Sequence, residues 1–276
     1  SSDAWLMFNR QAVKVAMTNI SDYTDRVEKL RALMAKQGVQ GFIVPRADEW
    51  QGEFVAEYAE RLKWLTGFTG SGGAAVVLTN AAMLLTDSRY TLQAAAEVNT
   101  DIFEVVNLAE TPMEKWLAAQ CGDDCVVAYD ARLHTPAQLQ KLRDEGLQLR
   151  AIDNLVDALW DDQAAPPQTA IKLFPENIAG QTAQKKREDM AAALQKAGLD
   201  HFVVTLPDSI AWLLNIRGAD VMCSPLALAS VILHAGGTVE LYVHPDKVTD
   251  DIRSHLGNGV TIRDEDMLTA GLNGLT

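Results

Sequence analysis

Residues 26–44 read RVEKLRALMAKQGVQGFIV and residues 186–204 read KREDMAAALQKAGLDHFVV. Set one over the other at a constant offset of 160, they agree at Glu28/Glu188, Ala32/Ala192, Lys36/Lys196, Gly38/Gly198, Phe42/Phe202 and Val44/Val204. In each copy apolar residues recur at helical spacing (Val27, Leu30, Leu33, Met34; Met190, Ala193, Leu194), a glycine follows where a helix would stop, and a short apolar run comes next. Each copy therefore reads helix, glycine stop, strand.

Further along, the offset becomes 148, so that Trp64-Leu65 meets Trp212-Leu213 and Gly70 meets Gly218. The difference falls in a loop, because the first copy carries residues 46–61 where the second has only Pro207, Asp208 and Ser209. A strand, a tight turn and a second strand follow in both copies: 74–78, Thr79-Asn80 and 81–86 in the first; 227–234, 235–237 and 239–243 in the second. Two copies at so long a period indicate a duplicated domain and not a solenoid, which stacks several short units. Between them the stretch DDQAAPPQT (161–169), with paired prolines and polar neighbours, suits an exposed linker. The expected division is an extension over 1–16, a first domain over 17–162, a linker over 163–169 and a second domain over 170–276.

The rest of the composition narrows function by exclusion. The chain has 276 residues, 48% apolar and 22% charged, which is globular, and a formal charge of −13. That charge argues against a nucleic-acid partner, which requires Lys and Arg gathered on one face, and against an acidic membrane surface. No apolar run reaches the roughly 20 residues of a bilayer span, so a soluble, cytoplasmic protein is expected. Cys121, Cys125 and Cys223 are too few for a disulfide framework. With no second Cys/His pair to complete four ligands, Cys121 and Cys125 are expected to be free thiols at a loop and not a zinc site. Residues 1–16 lack a sustained apolar core, and Met17 is the more natural beginning, so they read as an extension or expression remnant. The final stretch AGLNGLT (270–276) ends without a capping element, as a cut chain would.

Four groups of residues invite a chemical reading. Residues 70–75 (GSGGAA) satisfy G-x-G-x-x-A, but a dinucleotide site needs these glycines to open a helix. A hairpin follows instead, and the expectation is a tight loop requiring positive φ and close backbone approach. Asp189, Asp200, His201, Glu240 and Glu265 run in an order of hard metal ligands, yet Asp189 falls in the first turns of the repeat's helix, where the macrodipole accounts for it. No metal is expected there. Asp87-Ser88-Arg89-Tyr90 ends a buried-looking strand; it reads as an internal ion pair holding the turn into the next helix, with Tyr90 packing, or as a substrate-facing Arg. Arg217 and Asp220 carry the same ambiguity. Trp64 and Trp212, at equivalent repeat positions, are expected in the core.

Taken together, WLTGFTGSGGA (64–74), LTDSRYTLQA (85–94), NLVDALW (154–160) and IAWLLNIRGAD (210–220) resemble the amino-terminal portion of the three-domain Xaa-Pro aminopeptidases, members of the creatinase/prolidase metallopeptidases. The resemblance extends from about Asp22 to the carboxyl end. It implies an α/β fold of two tandem homologous creatinase N-terminal-like domains, each a mixed sheet flanked by helices. It also implies that catalysis, by two divalent metals (manganese or zinc) that activate water against the bond before proline, lies in a third domain beyond Thr276. On this reading no catalytic residue, metal ligand or cofactor belongs to these 276 residues. Their role is to wall the cleft for short proline-containing peptides and to help form a homodimer, with Asp87, Arg89, Tyr90, Arg217 and Asp220 as cleft-facing or structural residues. Three places depart from the family pattern: Thr69 stands where Asp is frequent, Ser88 where Gly is frequent, and Met222-Cys223-Ser224-Pro225 where a polar residue and Asn precede the Pro.

Two other functions compete with this one. A stand-alone module that binds peptides or proteins would require a natural stop after Thr276, and a nucleotide-binding protein built on the Gly70 loop would be stabilised by NAD or ATP, by about 2.7 kcal/mol at 100 times the dissociation constant.

Overall fold

The computed structural model describes residues 22–122 and 124–275. The expected extension over 1–16, Met17 and Thr276 lie outside the described residues. The chain divides into two compact units, one built from the described residues up to Glu49 together with Tyr58–Ala164, the other from Trp50–Glu57 together with the described residues after Ala164.

In the first unit α1 (22–37) buries Val27, Leu30 and Met34 along one face, three and four residues apart. Gly38, at φ +63°, ends it in the left-handed region that glycine occupies without strain. Then come β1 (Gly41–Pro45), α2 (Arg61–Thr66), the hairpin β2 (Gly73–Leu78) and β3 (Ala82–Thr86), α3 (Thr91–Glu97), β4 (Glu104–Asn107), α4 (Met113–Gln120), β5 (Val126–Tyr129), α5 (Pro136–Asp144) and β6 (Gln148–Ala151). The sheet order is β4-β3-β2-β1-β5-β6. β2 runs antiparallel to both neighbours and every other pairing is parallel, so five strands deliver their carboxyl ends to one edge. Successive side chains of β1 face opposite ways. Phe42 and Val44 join Leu30, Met34 and Leu65 in one core, and Ile43 joins Val76, Leu117 and Leu139 in another.

The second unit begins with β7 (Lys172–Leu173) and α6 (Glu176–Ala179). α7 (Ala183–Ala197) is capped at one end by the Thr182 hydroxyl, which accepts from the Lys185 amide, and at the other by Gly198 at φ +68°. β8 (His201–Val204), α8 (Pro207–Leu214), β9 (Ile216–Arg217), β10 (Ser230–His234), β11 (Val239–Tyr242), α9 (Asp250–Leu256), β12 (Val260–Arg263) and α10 (Leu268–Asn273) complete it. The main sheet runs β12-β11-β10-β8, and β7 pairs with β9 beside it. Matching β8, β10, β11 and β12 to β1, β2, β3 and β4 reproduces both order and direction, so the repeat read from sequence is a repeat of topology. No helix among the described residues is long and apolar enough to cross a membrane.

Four local expectations change. Gly70, Gly72 and Gly73 open β2, as the hairpin reading requires, but none lies in the left-handed region. Close approach is what demands glycine there: a Cβ on Gly73 would sit 2.7 Å from the Leu85 carbonyl oxygen, and one on Gly70 would overlap the Phe68 ring. Cys121 and Cys125 are joined in a disulfide instead of being free thiols, their Cα atoms 5.3 Å apart, within the span a disulfide bridges. Trp64 packs against the first core and stacks on Trp160, but Trp212, on α8, is half-exposed and not in the core. Asp189 is held by Lys185, one turn earlier, and by Gln181, which donates to it at 2.9 Å.

Gly218 shows the same close-approach constraint as Gly73, since a Cβ there would lie 2.6 Å from both the Ala227 nitrogen and the Leu226 oxygen. Backbone atoms cannot step aside cheaply. Gly218→Ala is expected to lower stability by about 1–3 kcal/mol in urea unfolding, whereas Gly236→Ala, with nothing within 4 Å of its Cβ, leaves the midpoint nearly unchanged. Equal midpoints for the two variants would refute the packing account.

Candidate functional site

In open α/β sheets ligands bind outside the carboxyl ends of the strands, and the first unit gathers its charged residues there. Thr86 ends β3, and its hydroxyl donates to the Gly72 carbonyl at 2.7 Å, tying the glycine loop to the Asp87–Tyr90 turn. Asp87 grips Arg89 with both carboxylate oxygens, accepting from Nε at 2.9 Å and Nη2 at 2.8 Å, and also accepts from the Arg89 amide at 2.9 Å. These hydrogen bonds hold the Asp87 carboxyl below the usual carboxylate range. The ion pair at this turn is present as read from sequence, but it is a surface pair: the Arg89 side chain is mostly exposed. Tyr90 packs edge-on against Phe68 and shares a 2.6 Å hydrogen bond with Ser71, a bond that lowers its hydroxyl's pKa. Thr69, one of the departures from the family pattern, has its amide and hydroxyl on Glu97 at 2.8 and 2.7 Å.

A second group on the same edge was invisible to motif reading. After β5, Asp130 is buried and accepts from the Arg132 amide, Nε and Nη2 at 3.0, 3.2 and 3.0 Å, and from Asn154 at 3.2 Å. Burial pushes the Asp130 carboxyl up, but the hydrogen bonds and charge of Arg132 outweigh it, and the net shift is downward. Arg61 is buried and bidentate to Asp157, at 2.6 and 2.9 Å, with Glu49 3.9 Å away. Its Nη1 has no hydrogen-bond partner. Glu49 in turn accepts from the Tyr58 hydroxyl at 2.8 Å, and burial followed by that carboxylate raises the Tyr58 pKa well above its ordinary value. His134 donates from Nδ1 to the Asp130 carbonyl at 2.9 Å, and burial depresses its pKa. The only sequence signal for this group was Asn154 and Asp157 within the 154–160 string.

In the second unit, Arg217 lies 3.7 Å over the Phe174 ring and donates to the Ala211 and Ile216 carbonyls at 3.2 and 2.8 Å. Asp220 faces the other way, into the protein. Its Oδ2 accepts from Lys247 at 2.9 Å and from the Leu228 amide at 2.7 Å, and both charged side chains are buried. Arg217 and Asp220 are therefore not brought together by a shared contact. Across β8, β10 and β11 a polar chain runs from His201 to His234 at 2.8 Å, on to Glu240 at 3.2 Å, and from Glu240 to Tyr242 at 2.8 Å. Burial, then the bond to Glu240, pushes the Tyr242 hydroxyl up to about 12.

Chemically, these arrangements are ion pairs and hydrogen bonds that hold turns and loops in place. The buried acids Asp130 and Asp220 are engaged by cations, and Arg61 by carboxylates. Among the described residues no three His, Cys, Asp or Glu side chains converge where a metal ion could sit. Arg89, held by Asp87 beside Tyr90, keeps its side chain mostly exposed to solvent.

Comparison with known proteins bears on both units. Residues 26–159 and, separately, residues 162–276 match the creatinase/prolidase N-terminal domain. Curated relatives named "Probable Xaa-Pro aminopeptidase P" include one from Aspergillus niger, 33% identical over 92% of this chain and 43% of its own. Another, from Coccidioides posadasii, is 35% identical over 88% of this chain and 41% of its own. The chain thus spans about two-fifths of the length of these relatives. Among solved structures, the X-prolyl aminopeptidase from Caenorhabditis elegans, described as a cytosolic enzyme with a di-nuclear active site, superposes with a TM-score of 0.85 at 26% identity, over 91% of this chain and 43% of that one.

Two buried charges give tests of the electrostatics. The folded-state pKa of Asp130 lies below its unfolded value near 3.9, so its stabilisation is full above about pH 4 and is lost as the pH falls through the folded value. Asp130→Asn should lower the melting temperature at neutral pH, with the gap to the parent protein closing on acidification; a gap that stays constant would contradict it. Lys247→Met leaves Asp220 buried without its cation, at an expected cost of about 3–5 kcal/mol in urea unfolding. Adding Asp220→Leu should recover part of that loss, and a purely additive double variant would deny the pairing.

Proposed function

Because the chain belongs to the creatinase/prolidase N-terminal domain family, with one copy of the domain in each half, we propose that it is the non-catalytic amino-terminal region of a cytosolic Xaa-Pro aminopeptidase. The observation that carries this is the extent of the likeness to the nematode enzyme: it runs through both units and leaves more than half of that enzyme's length to lie elsewhere. The parent activity is removal of the residue preceding proline by a pair of divalent metals, manganese or zinc. The donor set among the described residues does not fit such a centre, since buried Asp130 and Asp220 are paired with Arg132 and Lys247 and no three His, Cys, Asp or Glu side chains there converge to hold a metal. No step of the reaction is therefore assigned to these residues.

What the chain contributes is shape and charge at the cleft, and a share of a homodimer contact. Arg89 suits the first task. Asp87 fixes its guanidinium through two hydrogen bonds while the side chain stays mostly exposed, and the Tyr90 ring lies 5.0 Å from its Cζ. A guanidinium so held is pre-oriented toward the carboxylate of a short peptide. Asp87 and Tyr90 are then positioning residues. Arg217, braced on Phe174, and buried Asp220 support the corresponding loop of the second copy.

Loaded with manganese, the 276-residue chain is expected to leave an Xaa-Pro-Xaa tripeptide intact, while the protein continued through its downstream reading frame cleaves it. Chelator-sensitive turnover by the shorter chain would overturn the proposal. In the longer enzyme Arg89→Ala should raise KM about tenfold, the value of one hydrogen bond to a charged group, with kcat little changed. A fall in kcat at unchanged KM would remove Arg89 from the cleft.

A further inference from the structure

At position 187 the second copy breaks the repeat. Its counterpart at the offset of 160 is Val27, a core side chain of the first copy. Arg187 is a cation, and it is only 9% exposed. Other buried cations are paired, Arg61 with Asp157 and Lys247 with Asp220, but among the described residues no carboxylate bonds to Arg187. Its Nη1 donates to the Gly237 carbonyl at 3.3 Å, its Nε has no hydrogen-bond partner, and burial lowers its pKa. A guanidinium taken out of water without a counter-charge is costly, and here it replaces a valine.

The neighbour of Arg187 has changed with it. Thr261 lies opposite Glu240, and Glu104 opposite Met83, the second residues of β11 and β3, so Gly259 takes the place of Ile102. Ile102 packs against the core that contains Val27, whereas a Cβ on Gly259 would lie 2.0 Å from Arg187 Nη1. Arg187 and Gly259 line a cavity of about 670 Å³ at the amino ends of β11 and β12. Ala183 and Gln184 bring the first turn of α7 to the same wall, where amides lacking an acceptor within the helix favour negative charge. Leu173 and Leu256 add apolar surface, and the exposed Glu176 and Glu188 border the opening. All of these residues belong to the second unit.

We propose that this cavity binds a small zwitterion of the amino-acid class. Its carboxylate meets the Arg187 guanidinium and the first amides of α7, its ammonium turns toward Glu176 and Glu188, and its apolar side chain lies against Leu173 and Leu256. A carboxylate is the planar partner that the fork of a guanidinium matches, and it supplies the counter-charge that the fold withholds. A phosphate would also satisfy Arg187, but it would bring a second negative charge past two glutamates. The inference goes beyond the peptidase reading and uses no residue of the first unit.

Calorimetric titration of the 276-residue chain with L-leucine, N-acetyl-L-leucine, L-leucinamide and inorganic phosphate separates the two ends of the ligand. Leucine should bind, and losing either its ammonium or its carboxylate should weaken binding about tenfold. Arg187→Met should bring leucine level with leucinamide, while the melting temperature of this variant without ligand equals or exceeds that of the parent, because an unpaired charge has left the interior. Should that variant fail to fold, Gly259→Ala, whose methyl displaces the guanidinium, carries the same expectation for leucine. The proposal is overturned by absence of leucine binding at millimolar concentration, by phosphate binding more tightly than leucine, or by leucine affinity that Arg187→Met leaves unaltered. Leucine binding lost in the protein continued through its downstream reading frame also overturns it, and Xaa-Pro cleavage by that longer protein would leave the peptidase reading standing.

Discussion

Phe42 and Ile43 are adjacent in sequence and face opposite sides of one strand, and each is the centre of a different core. A strand apolar on both faces and hydrogen-bonding on both edges must be enclosed from four directions, because its apolar side chains favour leaving water and its amides, once buried, need partners. The first unit follows from that requirement. α1, reversed by Gly38, returns over the Phe42 face; α4 and α5 supply Leu117 and Leu139 to the Ile43 face; β2 and β5 take the two edges. A single antiparallel strand, β2, is enough to pass the chain from β1 to β3 by a hairpin while keeping the remaining strands parallel. The carboxyl ends of those strands then carry Asp87, Asp130 and their arginines along one edge.

Net acidity conceals how the charges are deployed. The chain carries −13 overall, yet Arg61, Lys186, Arg187 and Lys247 are all buried. Lys186 donates to the Trp212 carbonyl at 3.0 Å and to Asn215 at 2.6 Å, and burial lowers its pKa. Asn215, at φ +50°, completes the turn by donating to the Gln181 carbonyl at 2.8 Å. Buried cations here bind backbone carbonyls and carboxylates at the points where helices stop and strands begin. Such contacts give direction to turns that apolar packing alone would leave loosely specified.

Much of this was readable in advance because it is written locally. The helix, glycine and strand of each copy depend on residues within a single window, and the Asp87–Arg89 pair is two residues long. The Asp157–Arg61 pair, 96 residues apart, has no such signature: neither residue differs from any surface charge until the fold brings them together. Trp212 misled for a related reason. The repeat fixes its position in the backbone, but whether a tryptophan is enclosed depends on what covers it, and in the first copy the cover comes from Trp160, far along the chain. Cys121 and Cys125 differ again: they are close in sequence, but spacing alone does not say whether their backbones approach.

Residues Trp50–Glu57 belong to the second compact unit although the sequence places them inside the first copy. Trp50 donates its indole hydrogen to the Ala229 carbonyl at 2.8 Å, across 179 positions. On a ribosome that gap is an interval of time. The indole leaves the exit tunnel long before Ala229 is translated, so the sheet of the earlier unit can assemble while this loop still lacks its acceptor. The second unit, in contrast, cannot be completed from its own nascent residues: it recruits a piece of polypeptide already made, which gives the order of synthesis a part in how the two halves mature.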